Sequence, residues 1–214
     1  MTYLELVNNV LIRLRESQVA SVSSTTYSTL IGKFVNDAKR QVEDAWKWDA
    51  MSKTLPLTTA AGVSTYVLAG SGLKPKHLSA NDITNRTEIN NVPIQWIFDQ
   101  QQLATVSNAP PTYYAWNVND GTDSKVELFP TPNGAYSLKF NLYVQQAALV
   151  NDDDILILPS EAIEMGAYAR ALVERGEDGG LSSSEAYGLY KGILADQIAL
   201  EASRFVENDV WVAV

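Results

Sequence analysis

Few side chains in this sequence are equipped for chemistry, and the sole histidine, His77, is the first to weigh. With Asp82 five positions on, it could form the His–carboxylate pair that serves as a general base. No nucleophile signature such as G-x-S-x-G accompanies it. On a regular strand an offset of five also puts the two side chains on opposite faces. Asp152, Asp153 and Asp154 offer carboxylates for a cation, but calcium loops alternate ligands with spacers and a glycine, and this run has neither. The run reads instead as a solvated turn ahead of a helix. Gly70–Ser71–Gly72 lacks the third glycine and the following helix of a dinucleotide loop. Trp96, Tyr113, Tyr114 and Trp116 could stack on a sugar, form the core of a sheet or make a subunit contact. With no cysteine, the chain has no disulfide, thiolate metal site or cysteine nucleophile. No catalytic, metal or cofactor residue is assigned.

The elements that would position these groups fall into three stretches. Thr2 with Glu5 spells a capping box, and Leu4, Val7, Leu11 and Leu14 recur at helical spacing. A longer helix is predicted from about Tyr27, with Phe34, Ala38, Val42 and Trp46 on its apolar stripe and Lys33, Asp37, Arg40 and Glu43 on its wet side. Phe34, Val42 and Trp46 are the expected core anchors. From Trp48 the pattern becomes strand-like. A hairpin over "MSKTLPLTT" and "STYVL", strands over "KHLSANDIT" and "PIQWI", and a short helix over "FDQQQLATV" are expected. Three further strands follow. In the last, Leu138, Phe140, Leu142 and Val144 face one way and Ser137, Lys139, Asn141 and Tyr143 the other. That alternation predicts an antiparallel sheet with one wetted face.

Helical spacing returns with "PSEAIEMGAYARALVERG", whose face Ala162, Gly166, Ala169 and Val173 is built of small side chains. Ser182 and Glu185 suggest a second capping box, opening a last helix that runs to about Val206. Gly188 and Gly192 lie within it. Each weakens a helix by about 1 kcal/mol relative to Ala. Close backbone packing of Gly188 and Gly192 against Ala162, Gly166 and Ala169 is therefore expected. The fold class predicted is α+β: terminal helices packed as a bundle (1–50 and 151–208) around one core, with an antiparallel β-rich insertion (51–150). Residues 209–214 form an apolar C-terminal tail.

A net charge of −9, from 16 basic and 25 acidic residues, argues against gripping nucleic acid. With 46% hydrophobic residues and 19% charged, a core is within reach. No apolar run approaches the roughly 20 residues of a membrane span, so a soluble protein is expected. The final "VWVAV" is unusual for a chain end, which is ordinarily solvated. Val210, Trp211, Val212 and Val214 call for burial, either against the chain's own helices or in a partner, for which Trp211 is the natural anchor.

"TTYSTLIGKFVNDAKRQVEDAWKWDAMSKTLPLTTAAGVSTYVL" resembles the opening of head-to-tail adaptors of tailed bacteriophages, the tail tubular protein A-like group in particular. In that group a long helix ends in an acidic-alanine-Trp-x-Trp junction followed by a threonine-rich hairpin. "LPSEAIEMGAYARALVERGEDGG" and "SEAYGLYKGILADQIALEASR" are similar to the group's later helices. The resemblance covers about residues 1–68 and 155–207. It implies a virion structural protein at the head–tail junction, with neither enzymatic activity nor cofactor. It further implies a twelve-fold ring of copies between portal protein and tail nozzle protein, through which DNA passes. In such adaptors the C-terminal segment docks on the portal, which makes Val210, Trp211, Val212 and Val214 the expected docking residues. The β-rich insertion there faces the nozzle or neighbouring copies. The alternative from the residues alone is a carbohydrate-binding module of a phage tail or surface protein, using Trp96, Trp116 and the tyrosines.

Overall fold

The computed structural model of the protein describes residues 1–103, 107–176 and 181–204. Among the described residues, five α-helices and two four-stranded, mostly antiparallel sheets make it an α+β chain. It divides into two compact units, Met1–Ala50 with the chain from Gln146 onward, and Met51–Gln145.

In the first unit α1 (Tyr3–Arg13) starts on the Thr2–Glu5 capping box: the Glu5 N–H donates to Thr2 Oγ1 at 3.2 Å and the Thr2 N–H to Glu5 Oε2 at 2.8 Å. α2 (Thr26–Ala45) starts on Thr25, whose hydroxyl accepts from the Ser28 N–H at 2.9 Å. α4 (Ser160–Arg175) ends at Gly176, whose φ of 63° closes the last turn. α5 covers Leu181–Ala202. Its first turn begins ahead of Ser182, so Ser182 lies inside the helix and is not its cap, as the sequence had suggested. α4 packs against α2 and α5, and α1 against α2 and α4.

The segment following Gln146 runs as a strap held by side chains. Lys39 Nζ donates to the Gln146 carbonyl at 2.7 Å and Glu43 Oε1 accepts the Gln146 N–H at 3.0 Å. Asn36 takes the Leu149 N–H at 2.8 Å and donates to its carbonyl at 3.0 Å. Asp152 Oδ1 accepts the Val22 N–H at 3.0 Å. Glu43, expected on the wet side of α2, is thus buried, because the strap brings it partners distant in sequence.

In the second unit the sheets are ordered β1 (Ser52–Thr58), β8 (Ser137–Tyr143), β3 (Lys76–Asp82), β4 (Thr87–Glu88), and β2 (Thr65–Val67), β7 (Ser124–Phe129), β6 (Tyr113–Asn119), β5 (Asn90–Asn91). Both sheets contribute to one core: Leu138, Phe140 and Leu142 of β8 meet Ala80, Tyr114, Val126 and Leu128. Tyr143, placed on the wet face by alternation, is buried as well. α3 (Ile94–Leu103) takes in residues 94–97 of "PIQWI", expected as a strand or strand entry. It sets Ile97 against Ala115 and Phe129, which alternate with the core residues Tyr114 and Leu128.

β1 is an edge strand. The Met51 carbonyl accepts the Val144 N–H and the Thr59 N–H donates to the Tyr136 carbonyl, so odd-numbered residues of β1 face β8. Pro56 therefore falls on the outward side, where its missing N–H interrupts a template for further strands.

Candidate assembly surfaces

The catalytic and ligand candidates resolve into structural roles. β3 carries a bulge between His77 and Ser79, which shifts the alternation. His77 stands opposite Leu142 and Asp82 opposite Leu138, both core-facing, so the two share a face that a regular strand would have denied them. They are not paired. Asp82 caps its own turn, accepting the N–H groups of Thr84 at 2.8 Å and Asn85 at 3.2 Å. His77 Nδ1 shares a hydrogen bond with the Tyr114 hydroxyl. Burial pushes that hydroxyl's pKa up to about 12, against a smaller opposing pull from Asn91.

Asp154 accepts the N–H groups of Val150 at 2.7 Å and Asn151 at 2.8 Å, which hold its carboxyl below the usual range. With Asp152 bound to Val22, the aspartate run serves the strap. No group of three or more His, Cys, Asp or Glu could hold a metal ion among the described residues. Gly70 and Gly72 have φ of 80° and 69°, and their N–H groups point at the two carboxylate oxygens of Asp123 at 3.0 and 2.9 Å. The chain's own carboxylate occupies the place where an anion would lie in a phosphate loop.

The aromatic rings face one another. Trp96 lies 4.8 Å from Tyr113 at 53° and 5.5 Å from Phe129 at 87°. Tyr114 meets Trp116 at 82° and Phe140 at 85°. These are tilted and edge-to-face core contacts, and none of them presents the coplanar pair of a sugar platform.

The helical residues marked for close packing separate into two groups. Ala162 and Ala169 are buried, and a Cβ on Gly166 would stand 3.2 Å from Ala38 Cβ and 3.2 Å from the Tyr190 ring. Gly166 is therefore where α2, α4 and α5 come together. At Gly188 and Gly192 a Cβ would meet nothing within 4 Å among the described residues, so the expected packing of these two against α4 is not seen. α5 turns Ser183, Ala186, Tyr190 and Leu194 inward, and the glycines fall on the opposite side of the helix.

Of the three expected anchors, Val42 is buried while Phe34 and Trp46 are half-buried. The buried tryptophan at the junction is Trp48, 2% exposed, whose indole N–H donates to the Val42 carbonyl at 2.7 Å. α2 ends at Trp46 in extended backbone, which sends the two tryptophans different ways. Gly32 carried no flag in the sequence, yet a Cβ there would stand 2.8 Å from Val22 Cγ1 and closer still to the Tyr3 hydroxyl. Only spatial neighbours reveal such a site. Val210, Trp211, Val212 and Val214 lie outside the described residues.

α5 also carries an exposed surface. Gly188, Gly192, Ala195 and Ala199 lie along its outer side, with Leu189 and Leu200 exposed beside them. No helix among the described residues is long and apolar enough to cross a membrane.

Comparison with curated proteins gives no match. The family model described as SU10 adaptor protein matches residues 1–209. That span takes in both helical stretches and the whole β-rich unit, extending beyond the segments whose residues carried the resemblance. The chain belongs to the SU10 adaptor protein family, a family of bacteriophage adaptors.

Proposed function

We propose that this protein is a virion structural protein of the head–tail junction, forming a ring between portal protein and tail nozzle protein through which DNA passes. The family match over residues 1–209 carries the reading. Twelve copies is the number the adaptor resemblance implies. The protein acts by shape and assembly, with no cofactor and no catalytic step. Its net charge of −9 suits a channel wall that DNA slides past without sequence-specific binding.

In this reading the helices of 1–50 and 151–208 form the bundle core of each copy. The β-rich 51–150 faces the nozzle or neighbouring copies. The tail, 209–214, docks on the portal protein through Val210, Trp211, Val212 and Val214. The tilted and edge-to-face aromatic contacts offer no support for carbohydrate binding.

The test uses chains truncated after Asn208 and full-length protein, each sedimented with portal-bearing capsids. Full-length protein is expected to co-sediment. The truncated chain is expected to keep its circular dichroism and melting temperature and to stay in the supernatant. Full-length protein that ignores the capsids contradicts the adaptor reading; a truncated chain that binds unchanged removes the tail from it.

A further inference from the structure

We infer that copies associate through two different helix faces, the outer side of α5 on one copy and the outer side of α2 on the next. The inference rests on the ring reading and names its contact. α4 packs against both α2 and α5 in one helical layer, and the outward sides of those two helices are separate, unlike surfaces. Contact between unlike faces is head-to-tail, the kind that closes into rings when the rotation permits.

The two faces fit in size. On α5 the outward side is Gly188, Gly192, Ala195 and Ala199, and no described residue lies within 4 Å of where a Cβ of either glycine would be. On α2 it is Lys33, Asp37, Arg40 and Asp44, all exposed. Long side chains on α2 can lay their stems along the shallow surface of α5 and keep their charges at its rims.

They also fit in charge. Gly166 brings Ala38 of α2 and Tyr190 of α5 to one level of the layer. The Asp49 N–H, donated to Glu201 Oε1 at 2.7 Å, brings the C-terminal ends of both helices level. α2 and α5 therefore run in the same direction, and copies side by side keep that relation in a ring whose axis the two helices follow. At this height Glu185 is level with Lys33 of the neighbouring copy, and Lys191 lies within two residues, about 3 Å, of the level of its Asp37. Asp196 stands level with that copy's Asp44 and about 6 Å from the level of its Arg40, between a like and an opposite charge. Glu185, Lys33, Lys191 and Asp37 are exposed, and none forms an ion pair among the described residues of one copy; Lys191 Nζ lies over its own Tyr187 ring at 5.4 Å. Two opposite-charge pairs set the register and disfavour sliding, which is the usual contribution of exposed charges at an interface.

The wild-type chain has no cysteine, so pairs can be introduced cleanly. The full-length Arg40→Cys/Gly192→Cys variant, concentrated and mildly oxidised, is expected to give a ladder of disulfide-linked species beyond the dimer. Either single variant should stop at monomer or dimer. In the double-cysteine background Lys191→Asp should lower the cross-linked fraction by roughly five-fold, the scale of one exposed pair lost and one repulsion gained. Adding Asp37→Lys should restore it. A ladder that is absent, or a swapped pair that does not restore it, overturns the contact. Electron microscopy on portal-bearing capsids separates this from the ring reading. Rings formed by a chain that gives no ladder would leave the ring and remove this contact. A ladder from a chain that never forms rings would leave the contact and remove the ring.

Discussion

Lys39 and Glu43 stand one turn apart on α2, with Nζ 2.8 Å from Oε1 and side chains only 3% and 2% exposed. Together they hold both backbone groups of Gln146, where the chain rejoins the helical unit. A buried pair of this kind contributes little relative to apolar residues of the same size, but breaking it strands a charge out of water.

Lys39→Ala should therefore lower the unfolding free energy by about 3–5 kcal/mol. The Lys39→Met/Glu43→Leu double variant should lie closer to wild type than the single, because no charge is left unpaired. Urea unfolding of the three proteins checks this. Single and double variants equally close to wild type would show that the pair is not the clamp described.

The glycines of α4 and α5 should respond oppositely to the same change. Gly192→Ala gains helix propensity in open space and should stabilise the free protein by about 0.5–1 kcal/mol. Gly166→Ala gains the same propensity but drives a methyl against Ala38 and the Tyr190 ring, both buried. Overpacking of this kind costs about 1–3 kcal/mol, so a net loss is expected. Thermal melts of the two variants decide it, and a stabilised Gly166→Ala would contradict the close approach.

How much of this could be read from residues alone depended on how local the cause was. The Thr2–Glu5 capping box and the alternation of Leu138, Phe140 and Leu142 are set by residues a few positions apart, and the structure shows them; of the α2 stripe it buries Ala38 and Val42 but leaves Phe34 and Trp46 half-buried. Glu43 was misplaced because its burial depends on Gln146, far along the chain. Trp48 and Trp46 exchanged importance because α2 ends in extended backbone, which helical periodicity cannot foresee. His77 and Asp82 changed faces through a bulge that no residue type announces. Gly188 and Gly192 were rightly unusual as glycines, but spacing does not reveal which side of a helix meets its neighbour.

The hydroxyl of Tyr114 makes the β-rich unit sensitive to alkali. Its folded pKa, about 12, lies above the ordinary value of 10.0, so the phenol binds its proton more tightly when folded. The associated stability is full below pH 10 and is lost as pH rises from 10 through 12. Two units correspond to about 3 kcal/mol. Tyr114→Phe keeps the ring, loses the hydrogen bond to His77 at a cost of about 1 kcal/mol near neutral pH, and should flatten the alkaline decline. Urea midpoints at pH 8 and pH 11 for both proteins measure this. An alkaline decline that is unchanged in Tyr114→Phe would assign it to other groups.

The central claim is a ring of this chain at the head–tail junction. Electron microscopy with averaging of full-length protein mixed with portal-bearing capsids tests it most directly. A closed ring of copies seated on the portal at one vertex, with an open channel along its axis, is expected. Capsids whose portals stay bare, or copies bound elsewhere on the shell, would contradict it.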